Sequence, residues 1–178
     1  MKKVITIHRK KFRKIIASEK IQKTISDIAK KVNNDFKGKK PIFISVLNGS
    51  FMFTSDLLKK IKVECEVSFF KVTSYKGTKS SGKVNELIGV NENLKGRTVI
   101  ILEDIIDSGN TVEGIIAKLQ KHKPAAIKIV TLFFKPGAYT RKFKIDYVGM
   151  KIPNDFIVGY GLDYDGLGRN LEDVYTLT

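Results

Sequence analysis

Apolar residues recur with a helical period in three stretches of the chain. In residues 18–33 these positions fall three or four apart, with polar residues between them: Ile21, Ile25, Ile28, Ala29 and Val32. This spacing gives one apolar stripe along a helix, and Ser18 stands where an N-cap is expected. The same spacing and its flanking residues predict helices over residues 51–60 and 111–121.

Runs of apolar, β-branched and aromatic residues separate these helices and predict strands. The predicted strands cover residues 42–47, 63–73, 86–90, 97–102 and 126–134. Strands that alternate with helices favour an α/β fold, with a mainly parallel, twisted sheet flanked by helices. Such sheets bind ligands at the carboxyl ends of their strands. Polar residues follow three of the predicted strands, at 47–50, 103–111 and 134–137.

Size and composition are those of one globular domain over residues 1–178. The chain is 42% hydrophobic and 29% charged, and 178 residues can bury a substantial core. No apolar run approaches the ~20 residues that a membrane span needs. Cys65 is the only cysteine, which excludes an internal disulfide and is typical of the reducing cytoplasm. With only two histidines, a zinc site of histidines and cysteines is disfavoured.

The net charge is +15, from 33 basic against 18 acidic residues, and it favours an anionic partner. The basic residues are scattered as well as clustered, the clusters being residues 8–14 and 37–40. A surface of solvated lysines explains the excess equally well. The charge alone does not decide between these interpretations.

The most informative stretch is residues 99–112, V-I-I-L-E-D-I-I-D-S-G-N-T-V. Burying Glu103 and Asp104 side by side is costly unless they face a partner. In residues 107–111, between a predicted strand and a helix, Gly109 allows a tight turn. The free amides of the helix then form a phosphate cradle. An ordinary capped turn is the alternative, and Asp107 could serve as its cap.

The two acids favour a sugar phosphate over a bare phosphate. Alone, they would repel an anion. They fit a ligand that also presents ribose hydroxyls and an Mg²⁺ ion, which prefers oxygen ligands and keeps some of its water. The Walker pattern G-x-x-x-x-G-K-[ST] is absent, which argues against a P-loop kinase.

These residues resemble the phosphoribosyl-diphosphate signature of the type I phosphoribosyltransferases, and E-D-I-I-D-S-G-N-T is close to their hypoxanthine(-guanine) branch. Matching segments are L-N-G-S-F-M-F at 47–53, S-Y-K-G at 74–77, F-F-K-P-G-A at 133–138 and P-N-D-F-I-V-G-Y-G-L-D-Y at 153–164. The resemblance implies the type I fold with a small hood subdomain from the chain ends. It also implies Mg²⁺-dependent transfer of 5-phosphoribosyl to N9 of a 6-oxopurine, in purine salvage, by a homodimer or homotetramer.

The resemblance assigns roles to residues along the whole chain. Phosphoribosyl diphosphate or nucleotide would be bound by Leu47, Asn48, Gly49, Glu103, Asp104, Ile106, Asp107, Ser108, Gly109, Asn110, Thr111 and Arg169. The purine would contact Lys135, Phe156, Ile157 and Asp163. Mg²⁺ would be held near Glu103, Asp104 and Asp163, directly or through water, and Ser74 and Tyr75 would belong to a lid over residues 74–83.

Within that assignment Asp107 is the expected acid/base group at purine N7, and Lys135 the donor to O6. Phe156 would stack on the base, and the carbonyl of Ile157 would face the 2-position. Asn48 departs from the family, because many relatives have a basic residue there. Without the resemblance, Lys135 could reach solvent, Phe156 could be core and Asp163 a turn carboxylate.

Two other functions share this fold. A regulator that binds RNA, like the pyrimidine-operon attenuators, would suit the positive charge but needs no complete active site, and the stacking motifs of RNA-recognition domains are absent. An adenine or orotate transferase is disfavoured by Lys135 and by residues 153–164. The ranking of hypoxanthine, guanine and xanthine does not follow from the sequence.

Overall fold

Ten strands and three helices are formed by the residues that this computed structural model describes, 4–74 and 84–178. The strands are β1 (Val4–Ile7), β2 (Lys10–Ile16), β3 (Ile42–Leu47), β4 (Glu66–Ser74), β5 (Val84–Ile88), β6 (Thr98–Ile106), β7 (Ala126–Phe134), β8 (Tyr147–Lys151), β9 (Ile157–Val158) and β10 (Val174–Leu177). The helices are α1 (Ser18–Asp35), α2 (Phe51–Leu58) and α3 (Asn110–Gln120).

The larger sheet has the strand order β5-β4-β3-β6-β7-β8. Strands β4, β3, β6, β7 and β8 are parallel, and β5 is an antiparallel edge strand. This confirms the mainly parallel α/β sheet. The central strands read as continuous apolar runs because helices cover both of their faces.

Opposite faces of this sheet pack against different helices. Phe43 and Ile100 lie in the cluster formed with α1 and α2, and Ile42 and Ile101 lie in the cluster formed with α3. Side chains alternate between faces along a strand, so neighbouring residues enter different layers. All five apolar positions predicted for the first helix are buried. No helix in the described part of the chain is long and apolar enough to span a bilayer.

A second, antiparallel sheet joins the two ends of the chain in the order β1-β2-β10-β9, and we call residues 4–16 and 153–177, which contain these strands, the hood. Its own small core contains Ile7, Phe12, Val158 and Tyr175. This arrangement confirms the subdomain expected from the chain ends. Gly161 of the hood contacts the Gly49 carbonyl, which follows the carboxyl end of β3 in the larger sheet.

Two local predictions were wrong. The N-cap of α1 is Ala17, not Ser18, and the Ser18 N–H donates to the Asp173 carboxylate at 2.9 Å. A contact with the distant hood therefore starts this helix. Strand β6 does not end at residue 102: it runs to Ile106, so Glu103 and Asp104 are part of the strand.

Candidate active site

The carboxyl end of β3 leads through a tight turn into α2. The peptide bond between Leu47 and Asn48 is cis, and Gly49 lies directly against Asp104 of the neighbouring strand β6. A Cβ atom at Gly49 would overlap with the Asp104 carboxylate. The buried Ser50 hydroxyl donates to the Val46 carbonyl at 2.6 Å. The turn is thus fixed to its strand at one end and to the acids at the other.

Glu103 and Asp104 are both buried, 7% and 6% exposed. The Glu103 Oε2 atom has no hydrogen-bond partner among the described residues. Burial, and then the charge of Asp104, hold the pKa of Glu103 well above its usual range. Burial raises the pKa of Asp104 to about 6, although nearby Arg169 lowers it. The strand thus holds two acids that favour a cation or hydrogen-bond donors beside them.

Residues 107–111 form the expected turn between β6 and α3. The N-cap is Gly109, with a φ of 86°, a conformation that favours glycine. Glycine has no side chain to cap the helix, and the Asn110 N–H donates to the Ser108 hydroxyl at 3.4 Å. Glu103 and residues 105–112 line a cavity of about 240 Å³ in front of the helix amides. The turn has the geometry of an anion site.

The segment after β7 lies along the back of this turn. The Thr140 N–H donates to the Ser108 carbonyl at 3.3 Å. The Arg141 guanidinium donates to the Asn110 side chain and pairs with Glu113 at 3.2 Å. The carbon atoms of Arg141 also lie over Gly109, and its Nε atom is buried without a partner among the described residues. Sequence reasoning missed Arg141, since nothing local marks it.

Lys135 and Asp107 form an ion pair at the end of β7. The Lys135 ammonium donates to the Asp107 carboxylate at 3.1 Å, and the Lys135 side chain is only 9% exposed, against 53% for Asp107. Lys135 therefore does not extend into solvent. The pair places a cationic donor beside Asp107, which lines the cavity.

The hood contributes one exposed aromatic ring to this region. Phe156 is 48% exposed, so it is not a core residue. Its ring packs edge-on against Tyr164, with 5.7 Å between the centroids, and tilted against Phe12 at 6.5 Å. Ile157 follows it, buried in β9. The ring is supported on one side and open on the other, as stacking against a flat ligand requires.

Arg169 and Asp163 stand together near the acids. The Arg169 guanidinium pairs with Asp163 at 2.5 Å and donates to the Gly161 carbonyl at 2.7 Å. The second Asp163 oxygen accepts the Gly166 N–H at 2.8 Å. Both side chains act on the pKa of Asp104, Arg169 lowering it and Asp163 raising it. Of the two predicted lid residues, Ser74 is the last residue of β4, and Tyr75 lies outside the described residues.

The fold and this arrangement agree with comparisons against known proteins. The family model of the phosphoribosyl transferase domain matches residues 13–165. A hypoxanthine-guanine phosphoribosyltransferase of Staphylococcus aureus (strain Mu50 / ATCC 700699) is 38% identical over 164 residues, covering 92% of both chains. This chain belongs to the phosphoribosyltransferase family.

Two further relatives differ in the share of their own length that this phosphoribosyltransferase covers. A bifunctional protein TilS/HprT of Listeria monocytogenes (serotype 4b, strain F2365) is 38% identical over 158 residues, 88% of this chain. The chain spans only about a quarter, 24%, of that protein's length. A crystal structure of a hypoxanthine-guanine phosphoribosyltransferase from Bacillus anthracis superimposes with a TM-score of 0.88 at 37% identity, over 93% of this chain and 98% of that one.

The acids of this phosphoribosyltransferase are a candidate magnesium site. Among the described residues no group of three or more His, Cys, Asp or Glu side chains is arranged to hold a metal ion. Glu103, Asp104 and Asp163 therefore do not form a closed cage. Their carboxylate oxygens, with the unpartnered Oε2 of Glu103, do fit an Mg²⁺ ion that keeps water and takes other ligands from a diphosphate.

Proposed function

We propose that this phosphoribosyltransferase makes the nucleotides IMP and GMP from hypoxanthine and guanine, in purine salvage. The bond from C1′ to the pyrophosphate of phosphoribosyl diphosphate breaks, and a bond from C1′ to purine N9 forms. The observation that carries this proposal is the Lys135–Asp107 pair at the edge of the turn formed by residues 107–111. This pair could recognise the edge of a purine, and it lies next to a turn that has the geometry of an anion site.

The phosphoribosyl half of the substrate would lie along β6 and α3. The amides and hydroxyls of residues 108–111 would take the 5′-phosphate, and Glu103 and Asp104 the ribose hydroxyls. The turn at residues 47–49 and Arg169 would bind the pyrophosphate. Asn48 carries no charge, so in this chain the backbone of the turn and Arg169 would do this work.

The purine would lie between the Lys135–Asp107 pair and Phe156. Asp107 would take or share the proton at N7 while N9 attacks C1′. Lys135 would donate to O6, and the Ile157 carbonyl would face the 2-position. Adenine has an amino group where a 6-oxopurine has O6, so it would offer the buried ammonium no acceptor on the purine.

Magnesium would be held by Glu103, Asp104 and Asp163 through oxygen atoms, in part by way of water. Bound there, it would neutralise the charge of the departing pyrophosphate. Residues of the chain would do the rest: they hold the two substrates in line and place the proton of the purine on Asp107.

A spectrophotometric assay tests this function. The protein is supplied with Mg²⁺, phosphoribosyl diphosphate and, separately, hypoxanthine, guanine, xanthine or adenine. We expect turnover of hypoxanthine and guanine, none of adenine, and loss of turnover when a chelator removes the metal. Turnover of adenine without hypoxanthine would contradict the proposal.

We also propose that the chain acts in the cytoplasm as a homodimer or homotetramer. The lone cysteine, Cys65, is free, as expected for a reducing compartment. Phe51, Val67 and Phe69 are large apolar residues that are 43%, 39% and 44% exposed. Apolar side chains grouped at a surface favour association with another chain. Light scattering in solution gives the number of subunits.

A further inference from the structure

A hydrogen-bonded group outside the catalytic residues joins the hood to both helices of one layer. The Tyr160 hydroxyl, on a buried side chain, donates to the Asp56 carboxylate of α2 at 2.6 Å. The Gln22 amide of α1 donates to the same carboxylate oxygen at 2.5 Å. Lys59 pairs with the other oxygen at 3.1 Å. One carboxylate thus fixes three parts of the molecule.

Tyr160 needs such an anchor because of its backbone. Its φ is 50°, in the left-handed region that side chains other than glycine rarely adopt. Gly159 and Gly161, on either side, have φ values of 105° and 95°. A residue keeps this conformation only where its surroundings hold it. The bond to Asp56 and the burial of the ring supply that hold.

The anchored segment is in direct contact with the proposed pyrophosphate turn. A Cβ atom at Gly161 would overlap with the Gly49 carbonyl, so the two backbones touch. Gly49 in turn lies against the Asp104 carboxylate. A continuous line of contacts therefore leads from Asp56, through Tyr160, to the acids of the site.

The same segment also sets the position of the two charged hood residues. The Gly161 N–H donates to the Arg169 carbonyl at 2.9 Å, and the Gly161 carbonyl accepts the Arg169 guanidinium at 2.7 Å. Arg169 holds Asp163 at 2.5 Å. A displacement of residue 161 would move both charges relative to the turn at residues 47–49.

We propose that Asp56 and Tyr160 are positioning residues for the pyrophosphate end of the site, acting through the backbone of residues 159–161 on Gly49 and Arg169. This inference rests on the proposed function. Neither side chain touches the substrate. Their effect should fall mainly on phosphoribosyl diphosphate, because Lys135 follows β7, whereas Phe156 and Ile157 are held by β10. Of the proposed purine contacts, only Asp163 would move with residue 161.

The test compares Tyr160→Phe and Asp56→Asn with the wild type. Tyr160→Phe keeps the ring and removes only the donor, whereas Asp56→Asn keeps the shape and removes the charge. We expect the KM for phosphoribosyl diphosphate to rise about five- to twentyfold, with kcat and the KM for the purine changed less than threefold. Both changes act on the same bond, so the rise in the double variant should be smaller than the product of the two single rises.

Asp146→Asn is the matched control. Asp146 is also a largely buried carboxylate, which pairs with Lys128 at 2.9 Å and accepts the Ile129 N–H at 3.0 Å, but it contacts none of the proposed site residues through these bonds. Its loss should lower thermal stability and leave both KM values unchanged. If a variant at position 56 or 160 does not fold, Gln22→Met replaces it in the test. We expect this variant to raise the KM for phosphoribosyl diphosphate two- to fivefold.

Two outcomes would overturn the inference: a KM for phosphoribosyl diphosphate within twofold of the wild type, or equal rises in both KM values. Calorimetric titration with phosphoribosyl diphosphate and Mg²⁺ separates this failure from failure of the proposed function. If the wild type binds the compound but turns over no purine, the function is wrong, and weaker binding by Tyr160→Phe would still support the positioning role.

Discussion

Glu103 and Asp104 make an unfavourable contribution to the folded state, which the proposed function would explain. Two neighbouring carboxylates are buried in a central strand, and one oxygen has no partner among the described residues. Charged groups in that position destabilise a protein unless something compensates them. A cation with ribose hydroxyls would supply that compensation only when substrate is bound. The free enzyme should therefore become more stable when one charge is removed.

Asp104→Asn makes that cost measurable. The pKa of Asp104 is about 6 in the folded protein against an ordinary 3.8, so the folded state binds the proton more tightly. The contribution of Asp104 to wild-type stability must then fall as the pH rises from about 4 to about 6 and level off above. We compare the free energy of unfolding of each protein with its own value at pH 4. On that scale, Asp104→Asn should be more stable than the wild type by about 1–3 kcal/mol above pH 6.

Urea unfolding at several pH values, without Mg²⁺, measures this difference. Asp146→Asn is the control, because its carboxylate is already satisfied by Lys128 and the Ile129 N–H. That variant should be less stable than the wild type at pH 7.5. The contrary outcome is a difference in the free energy of unfolding between Asp104→Asn and the wild type that is the same at pH 4 and pH 7.5. That result would show that the buried charge of Asp104 does not destabilise the protein.

Asp107→Asn separates catalysis from binding at a single residue. Asn keeps the size of the side chain but cannot accept the purine proton, and a general base contributes about 10²- to 10⁴-fold to a rate. We expect kcat to fall by about that factor while the KM for phosphoribosyl diphosphate stays within threefold. Steady-state kinetics measure both. A large rise in that KM, with kcat kept, would make Asp107 a structural residue.

At the scale of elements, the position of the turn at residues 107–111 depends on the segment that follows β7. Residues 139–141 cover Gly109 and bond to Ser108 and Asn110, so they hold the first amides of α3 in place. A helix N-terminus attracts a phosphate only if its amides point at one position. The neighbouring loop thus determines how well the turn binds, although it belongs to another strand connection.

Arg141→Met tests this support. The change removes the bonds to Asn110 and Glu113 but keeps an unbranched side chain over Gly109. Binding of a nucleoside 5′-monophosphate should weaken about five- to tenfold, which corresponds to about 1 kcal/mol. Lys142→Met removes the same charge from the exposed neighbour and should change the affinity less than twofold. Equal losses in calorimetric titrations of both variants would mean that only net charge matters.

The elements that the sequence predicted correctly are those with a simple apolar pattern. Strand β7 was predicted with its exact limits, 126–134, because both of its faces are covered. Strand β6 was predicted to end four residues too early, since the charged Glu103 and Asp104 interrupt its apolar pattern. Strand β2, K-K-F-R-K-I-I, was not predicted: one face is solvated, and only Phe12 and Ile16 are buried.

The candidate site divides in the same way. The grouping of Glu103 and residues 105–111 around one cavity could be predicted, because a single local motif contains them. Arg141, Asp56 and Tyr160 could not, because their partners lie far along the chain. The Tyr160–Asp56 bond, for example, joins residues 104 positions apart. Such contacts follow from the packing of the hood on the larger sheet, which no local pattern encodes.

At the scale of the whole molecule, the net charge of +15 is not concentrated at the proposed site. The proposed pyrophosphate turn contains the uncharged Asn48, and the proposed site contains acids as well as Lys135 and Arg169. One basic group lies away from the site, where residues 37–40 and Lys62 line a surface cavity at the start of β3 and β4. Lys40 of this group is paired with Glu64 at 2.9 Å, so part of its charge is already neutralised.

A basic protein of this kind should bind RNA only through the phosphate charge. In a gel-shift assay at about 50 mM salt we expect retardation of two RNAs of equal length and different sequence, and loss of both complexes at about 200 mM, because such binding depends on counterion release. Lys37→Gln with Lys39→Gln should weaken both complexes alike and leave turnover unchanged. Selective binding of one RNA that survives at 200 mM would instead give this phosphoribosyltransferase a second, regulatory partner, and the scattered lysines would then form a specific surface.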